Sequence, residues 1–393
     1  MYYGSNLFYK GSIPMNDIYF DNAATTQVDD DVITLMAQVM REDYGNPSSL
    51  HTRGVQAQLL IERAQKQLLS ALGVKSGQVL FTSGGTEANN LALFGGADAK
   101  KRRGKRIITT SVEHSSVLSA MQELARRGFE LIEIAPGADG RVSVDALLDA
   151  CNEDTILVSM MLVNNEVGSI QPVAEIAKRL RAKAPNALLH TDAVQAFGKI
   201  PLSVAALGVD MLTLSGHKIH APKGVGALYI ADKVRITPLL FGGSQQRGLR
   251  PGTESVPMIA ALGLAAKNAA DRLEENRARA QQTKDALING LSGLPNVIIN
   301  SPADNCSPFL LNCSVTGYRS ETLLHFLAAQ GIYVSSGSAC SKGAKSHVLV
   351  AMGKTAREID SALRISLCEN NTPQQAERFC EVLASAMRSL RQA

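Results

Sequence analysis

Four short stretches hold residues that could do chemistry, and each has an ordinary reading beside the reactive one. "SSGSACSKGAKSH" (335–347) sets Cys340 among small, polar and cationic residues just after the apolar "GIYV", company that buried structural cysteines seldom keep. That thiol is a nucleophile, a metal ligand or a bystander of loop composition. In "SGHKIHAPKG" (215–224), Lys218 follows an apolar run. A lysine there is ordinarily solvated, whereas a desolvated amine in a cleft suits a Schiff base with an aldehyde. In "HTDAVQ" (190–195), Asp192 closes an apolar run. It either caps the next helix or is a buried carboxylate that needs a cationic partner. In "FTSGGTEANN" (81–90), a glycine turn precedes Thr86 and Glu87. This is either a plain connection or a helix start whose N–H groups suit a phosphate; with no GK[ST] after it, it is no nucleotide P-loop.

Three of these stretches make a set more specific than any one of them. A phosphate cradle, then a carboxylate, then a lysine are the parts needed to hold pyridoxal 5'-phosphate. The lysine carries the aldehyde, the carboxylate keeps the ring nitrogen protonated, and the helix start holds the phosphate.

The elements that must position them are legible between about residues 78 and 230. "QVLFT" (78–82), "RIITT" (106–110), "ELIEI" (130–134), "TILVSMML" (155–162), "ALLHT" (187–191), "MLTL" (211–214) and "GALYI" (226–230) read as buried strands. Amphipathic stretches such as "SVLSAMQELARRG" and "VAEIAKRLRAKA" separate many of them. That alternation predicts an α/β domain on a largely parallel sheet with helices on both faces. In such sheets ligands bind at the carboxyl ends of the strands, where the glycine turn, Asp192 and Lys218 fall. From about residue 257 a long helical pattern, then shorter strands and helices, predict a smaller α+β domain. The expected division is a segment over 1–29 that joins the small domain, a large domain over 30–262, and a small domain over 263–393 carrying the Cys340 loop.

Bulk properties exclude several classes. The 393 residues are 45% hydrophobic and 19% charged, with a formal charge of +4, ordinary values for a globular protein. The one basic run, "KKRRGKR" (100–106), is too short to make nucleic acid the expected partner. No apolar run approaches the ~18 residues that span a bilayer, and the opening "MYYGSNLFYKGSIP" reads as an unpatterned leader. The six cysteines, Cys151, Cys306, Cys313, Cys340, Cys368 and Cys380, form no CxxC and no disulfide framework. No metal site is expected, and the compartment reads as the reducing cytoplasm.

The chain also resembles the cysteine desulfurases of the NifS/IscS-like branch, within the fold-type I pyridoxal-phosphate enzymes of aminotransferase class V. Motifs in matching order run from "IYFDNAATT" (18–26) through "GNPSSLHTRG", "FTSGGTEANN", "VEHSSV", "LVNNEVGSIQP", "HTDAVQAFGKIP", "SGHKIHAPKGVGALYI" and "RPGTES" to "SSGSAC" (335–340). The resemblance implies that Lys218 holds the cofactor, Asp192 pairs with the ring nitrogen, and Gln195 bonds the ring hydroxyl. His114 would stack on the ring and move protons. Gly85, Thr86, Ser215 and His217 would contact the phosphate, and Thr253 would reach the phosphate of a neighbouring subunit, implying a homodimer. Asn165 and Arg364 would face the substrate, with Arg364 clamping its carboxylate.

On this reading L-cysteine is converted to L-alanine, and its sulfur passes to the Cys340 thiolate as a persulfide for a protein acceptor. Gly337, Ser338 and Gly343 would keep the loop pliable, and Lys342 and Lys345 would favour the thiolate. The other cysteines read as packing residues, with Cys368, close to Arg364, as a second redox-sensitive thiol. Two segments depart from the family pattern. "SKGAKSHVL" replaces roughly "TSxSLEPSHVL" after the cysteine, and "ISLCENNT" (365–372) replaces "FSLGRxT". Both leave the cofactor set untouched and fall where an acceptor would dock. They point to a dedicated acceptor, a tRNA-thiolating sulfurtransferase first and an iron–sulfur scaffold second. The competing readings are a selenocysteine lyase or another pyridoxal-phosphate lyase or aminotransferase, and a non-catalytic docking protein.

Overall fold

The computed structural model describes residues 17–336 and 345–391. Cys340, with Gly337, Ser338, Lys342 and Gly343, and the leader lie outside the described residues. Twelve strands are described: β1 (Ile18–Tyr19), β2 (Gln78–Thr82), β3 (Arg106–Thr110), β4 (Glu130–Ile134), β5 (Thr155–Ser159), β6 (Leu188–Asp192), β7 (Met211–Ser215), β8 (Gly226–Ile230), β9 (Val297–Ile299), β10 (Leu310–Val315), β11 (Ile332–Tyr333) and β12 (Ala362–Ser366). Between them run α1 (Asp30–Glu42), α2 (Thr52–Ala71), α3 (Gly85–Lys100), α4 (Ser115–Arg126), α5 (Val144–Ala150), α6 (Val173–Lys183), α7 (Val204–Leu207), α8 (Val256–Asp271), α9 (Leu273–Ser292), α10 (Ser320–Ala329), α11 (His347–Ala351), α12 (Ala356–Asp360) and α13 (Pro373–Ser389).

The large sheet has the order β2-β8-β7-β6-β5-β3-β4. Its pairs from β7 to β4 are parallel, and β8 runs antiparallel between β7 and β2. Every residue of β5, β6, β7 and β8 is buried, which is why these runs are apolar almost throughout rather than alternating. The period of two still decides which face each side chain serves. Val79, Phe81, Leu212 and Leu214 join the core under α2, α6 and α8, while Leu80, Met211 and Leu228 join the one under α3 and α4.

Three expected elements differ. "ELIEI" is the edge strand β4, with Glu130 and Glu133 exposed, so it is not buried on both faces. The strand expected through Leu162 ends at Ser159, although Met160 and Leu162 still donate to the carbonyls of His190 and Asp192, at 3.1 and 2.9 Å. The long helical pattern after residue 257 breaks at Arg272 into α8 and α9. The break is a change of core. Ile259, Leu262 and Ala266 pack with the large sheet, whereas Leu287 and Leu291 pack with β10, β12, α10 and α13.

A smaller antiparallel sheet, β12-β10-β9, carries that second core. The chain start is tied to it: β1 pairs in parallel with β11, and Ile18 and Phe20 are buried among its side chains. A fourth apolar cluster joins α11 to the loops of the large sheet through Val112, Met161, Val167, Val348 and Leu349. No described helix is long and apolar enough to cross a membrane.

Candidate active site

The carboxyl ends of β5, β6 and β7, the start of α3 and the β3–α4 turn open onto a cleft of about 460 Å³, closed from the other side by Arg364, Ser346 and His347. Of the expected residues, Gly85, Thr86, His114, Asn165, Asp192, Gln195, Ser215, His217, Lys218 and Arg364 all line it. Thr253 does not. It is exposed in the segment before α8.

Lys218 ends the single 3-10 turn that follows β7. Its Nζ donates to the carbonyls of Ala23 and Ala24, at 2.6 and 2.8 Å, in the loop after β1. Those carbonyls aim the amine, and the Ala23 carbonyl also accepts from Gln195 Nε2 at 3.0 Å. Asp192, the last residue of β6, is buried as one of its sequence readings expected, but no helix follows for it to cap, residues 194–199 forming a turn. Oδ1 accepts from the backbone of Val194 at 2.9 Å, a local turn cap, while Oδ2 accepts from Asn89 Nδ2 at 2.8 Å inside the cleft.

Asn89 extends this contact into a relay absent from the sequence reading. Its Nδ2 also donates to Ser116 Oγ at 2.9 Å, and Ser116 Oγ lies 2.8 Å from His114 Nδ1. His114 caps α4 by accepting from the Ser116 N–H, so Nδ1 bears no proton in that bond. Burial holds the imidazole pKa below its ordinary value against the opposing pull of Asp192, with Lys218 and His347 lowering it further. The ring is therefore neutral near pH 7, with its proton on Nε2.

Beneath the floor, His190 bridges Ser159 Oγ and Thr213 Oγ1 at 2.9 and 3.0 Å, and burial drives its pKa down to about 3. It is a neutral strut. His217, half-buried beside Lys218, is brought down to about 4 by burial and by the charges of Lys218, Lys223 and Lys199.

The start of α3 has no side-chain cap, so its first N–H groups face the cleft without intrahelical partners. A Cβ on Gly85 would lie 3.0 Å from Val194 Cγ2, so only glycine leaves that approach open. Uncapped N–H groups, a neutral imidazole and a serine at one end, with a lysine amine and a buried carboxylate beyond them, fit a phosphorylated pyridine aldehyde. Asn89 Oδ1 is buried there and has no partner among the described residues.

The opposite wall is assembled from distant parts of the chain. Arg364 is buried on β12; Nη2 donates to Asp21 at 2.9 Å and Nη1 to the Asn165 carbonyl at 3.3 Å. Its Nε is buried and has no partner among the described residues. Asn165 thus contributes its backbone oxygen to this contact. Both stems of the Cys340 segment attach here: Ser335 pairs with Arg364 through both backbone bonds, and Ser346 Oγ donates to the buried Glu166. His347 Nε2 donates to the Glu113 carbonyl at 2.9 Å.

Glu113 itself is fully buried; Oε1 accepts from Thr110 and the Met161 N–H, and Oε2 has no partner among the described residues. Burial raises its pKa to about 8, so it is held neutral. Glu113, Glu166, Asn89, Ser116 and Asp21 were missed as site residues. "VEH" and "VNNE" put Glu113 and Glu166 one position from noticed residues, which was the available signal.

The comparisons agree with this geometry. The family model described as "Aminotransferase class-V" matches residues 18–379. A curated relative named cysteine desulfurase IscS, from Methanosarcina thermophila, is 42% identical over 95% of this chain and 93% of its own length. Among solved structures, a chain titled NIFS-like protein superposes with a TM-score of 0.91 at 40% identity, covering 95% of this chain and 100% of that one. One titled "SspA in complex with cysteine" gives a TM-score of 0.78 at 34% identity over 89% of this chain and 98% of that one. The fold and cleft define a pyridoxal-phosphate enzyme of the α/β class. The chain belongs to the class-V aminotransferase family, whose cofactor is pyridoxal 5'-phosphate.

Proposed function

We propose that this protein is a cysteine desulfurase, taking sulfur from L-cysteine, releasing L-alanine and passing the sulfur on from Cys340 as a persulfide. The observation that carries the reading is the attachment of both stems of the Cys340 segment to the cleft, one of them through the backbone of Arg364. The segment that carries this cysteine therefore begins and ends at the cleft. The two relatives named above add support, one called a cysteine desulfurase and one solved with cysteine.

Pyridoxal phosphate, when bound, supplies an electron sink that weakens the bonds of the substrate carbon next to the amine. Lys218 would hold its aldehyde, Asp192 its ring nitrogen and Gln195 its ring hydroxyl. Gly85, Thr86, Ser215 and His217 would hold its phosphate. The guanidinium of Arg364, fixed by Asp21 and the Asn165 carbonyl, binds the substrate carboxylate and turns the side chain toward the Cys340 segment. Neutral His114, oriented by Ser116 and Asn89, carries its ring proton on Nε2 and presents it as a donor at the cleft. The Cys340 thiolate attacks the substrate sulfur. An S–S bond forms as the substrate C–S bond breaks, and the carbon takes a proton to leave as alanine. Lys345, which lines the cleft, favours the thiolate.

Thr253 would complete the cofactor site of a second copy. Its exposure supports this, as do the large exposed apolar side chains Tyr44, Leu50, Leu240 and Phe241, which a homodimer would cover. The five described cysteines are all free thiols, which supports the reducing cytoplasm. The altered segments around Cys340 and Cys368 favour a dedicated sulfur acceptor, a tRNA-thiolating sulfurtransferase before an iron–sulfur scaffold. Equal sulfur delivery to both acceptor types would remove that preference.

The central test is a single turnover with L-cysteine. Wild type should release alanine and carry a labelled persulfide, and Cys340→Ala should lose both while keeping its yellow colour. Alanine release by Cys340→Ala at the wild-type rate would reduce the reading to a general pyridoxal-phosphate lyase.

A further inference from the structure

A second pocket, of about 20 Å³, shares Lys218 with the cleft and is also lined by His220, Cys368 and Glu369. That volume holds one water- or ion-sized occupant. One donor atom from each of the three side chains, an imidazole nitrogen, a sulfur and a carboxylate oxygen, lies within 4.8 Å of the others. His220 Nε2 is 3.4 Å from Glu369 Oε2. Two ligands bonded at 2.0–2.1 Å to one tetrahedral zinc sit about 3.4 Å apart, so this pair already has the required spacing.

The surroundings fix His220 in place. His220 Nδ1 lies 2.8 Å from the Gln27 carbonyl. A carbonyl can only accept, so Nδ1 carries the hydrogen and Nε2 is the nitrogen left for a metal, the arrangement that ligating histidines ordinarily show. The His220 backbone is held in the left-handed region, at φ +62°, and its N–H is tied to Thr26 Oγ1 at 2.8 Å. Such a conformation in a non-glycine residue persists only where its surroundings fix it. Burial pushes the Cys368 thiol up to about 11 against the pull of the backbone N–H groups of Asn370 and Asn371, so it is the arriving ion that must displace its proton. Lys199, on the same pocket, donates to Gln195 Oε1 at 3.1 Å, and its charge interacts with Cys368 and Glu369. None of the three ligands has a part in the proposed sulfur chemistry, and "CENN" is one of the two segments in which this chain departs from its family.

We propose that His220, Cys368 and Glu369 form a divalent-cation site of zinc type, with a solvent molecule as the fourth ligand. One sulfur, one imidazole and one carboxylate are the donor set of a borderline-soft ion; calcium and magnesium take oxygen. Loading forms one bond from zinc to each side chain and releases the Cys368 thiol proton, together with the Nε2 proton when His220 carries one. The two charges of the ion are balanced by one thiolate and one carboxylate. The ion would tie the turn after Lys218 to the end of β12, four residues beyond Arg364, and so brace the two walls of the cleft. The sequence expectation of no metal rested on local spacing; these ligands come from segments far apart in the chain.

The test uses the cofactor-loaded Cys340→Ser protein, which removes the loop thiol as a competing ligand, dialysed against zinc chloride. Zinc content and X-ray absorption are read without turnover, so the outcome is independent of the desulfurase reading. One zinc per chain is expected, with one sulfur at about 2.3 Å and the remaining ligands near 2.0–2.1 Å. Adding Cys368→Ser should remove the sulfur from the shell, and Cys368→Ser or Glu369→Gln should each weaken binding by roughly 10-fold or more. Glu369 is half-buried at a loop, so its substitution leaves the cores intact. Absence of stoichiometric zinc, sulfur retained in the Cys368→Ser shell, or unchanged affinity in Glu369→Gln would each overturn the site.

Discussion

The floor of the cleft and its opposite wall are built on different principles. On the floor, Asp192, Ser215 and Lys218 sit within a few residues of the ends of β6 and β7, in a sheet whose central strands are wholly buried. Val194 and Asn89 hold Asp192 from the large-sheet side, while the Ala23 and Ala24 carbonyls that hold Lys218 lie in a loop tied to Ser366 at the end of β12. On the wall, Arg364, Ser346 and His347 depend on partners from remote segments, namely Asp21, Asn165, Glu166 and Glu113. The floor is therefore placed mainly by the large sheet, with one tether from the small one, and suits a cofactor, while the wall is assembled almost entirely from contacts between the two cores. Substrate capture is assigned to the part that docking can tune.

Substitutions on the two sides should separate accordingly. Lys218→Ala should have the largest effect, cutting cysteine turnover by roughly 10³-fold or more. The yellow colour should be lost with unchanged circular dichroism; a variant that stays yellow and active would break the assignment of the floor. Asp192→Asn keeps the Asn89 contact but removes the charge, and should lower kcat by roughly 10²-fold. A comparable change in KM alone would move Asp192 to the binding wall.

On the wall, Arg364→Lys should raise KM for cysteine about 10–100-fold with a smaller change in kcat, because a lysine cannot reproduce the planar fork that reaches Asp21, Asn165 and a carboxylate together. Equal losses in kcat and kcat/KM would show that the clamp acts only in the transition state.

Glu113 lies on the seam. Its carboxyl is neutral when folded because burial raises its pKa from 4.5 to about 8. Between those values the unfolded chain has lost this proton and the folded chain keeps it, so rising pH favours unfolding. The contribution is whole below pH 4.5 and gone above about 8. Its limiting slope is about 1.4 kcal/mol per pH unit. Glu113→Gln mimics the neutral acid, so urea unfolding should show wild type losing stability relative to the variant across that window. A pH-independent difference would refute a buried neutral Glu113. The smallest effect is expected at Thr253. Thr253→Ala should change folding stability by no more than about 0.5 kcal/mol, yet loosen cofactor retention if a second copy supplies it. Unchanged retention would confine the site to one chain.

The floor was largely legible in the sequence because strand ends announce themselves. An apolar run that stops at a charged or glycine-rich turn marks the carboxyl edge of a sheet, and Asp192, Lys218 and Gly85 fall at such stops. Asn89 was not legible, since an amide inside a helix looks the same whether it faces a carboxylate or solvent. Arg364 and Asn165 were reached only through the family resemblance; nothing local marks an arginine on a short strand as the partner of Asp21. The edge position of β4 was readable, because "ELIEI" places glutamates where a covered strand would carry apolar residues. The break at Arg272 left no such mark, for the pattern stays helical on both sides while the core beneath it changes.

The sequence by itself determined the alternation of strands and helices, the sheet edge at which chemistry gathers, and the cofactor class, since these depend on short-range pattern and residue type. Tertiary structure alone decided which buried carboxyl stays neutral, which histidines remain uncharged, and which distant ligands share a pocket. Those properties depend on desolvation and on distances of a few ångströms between segments hundreds of residues apart, and no local pattern encodes either.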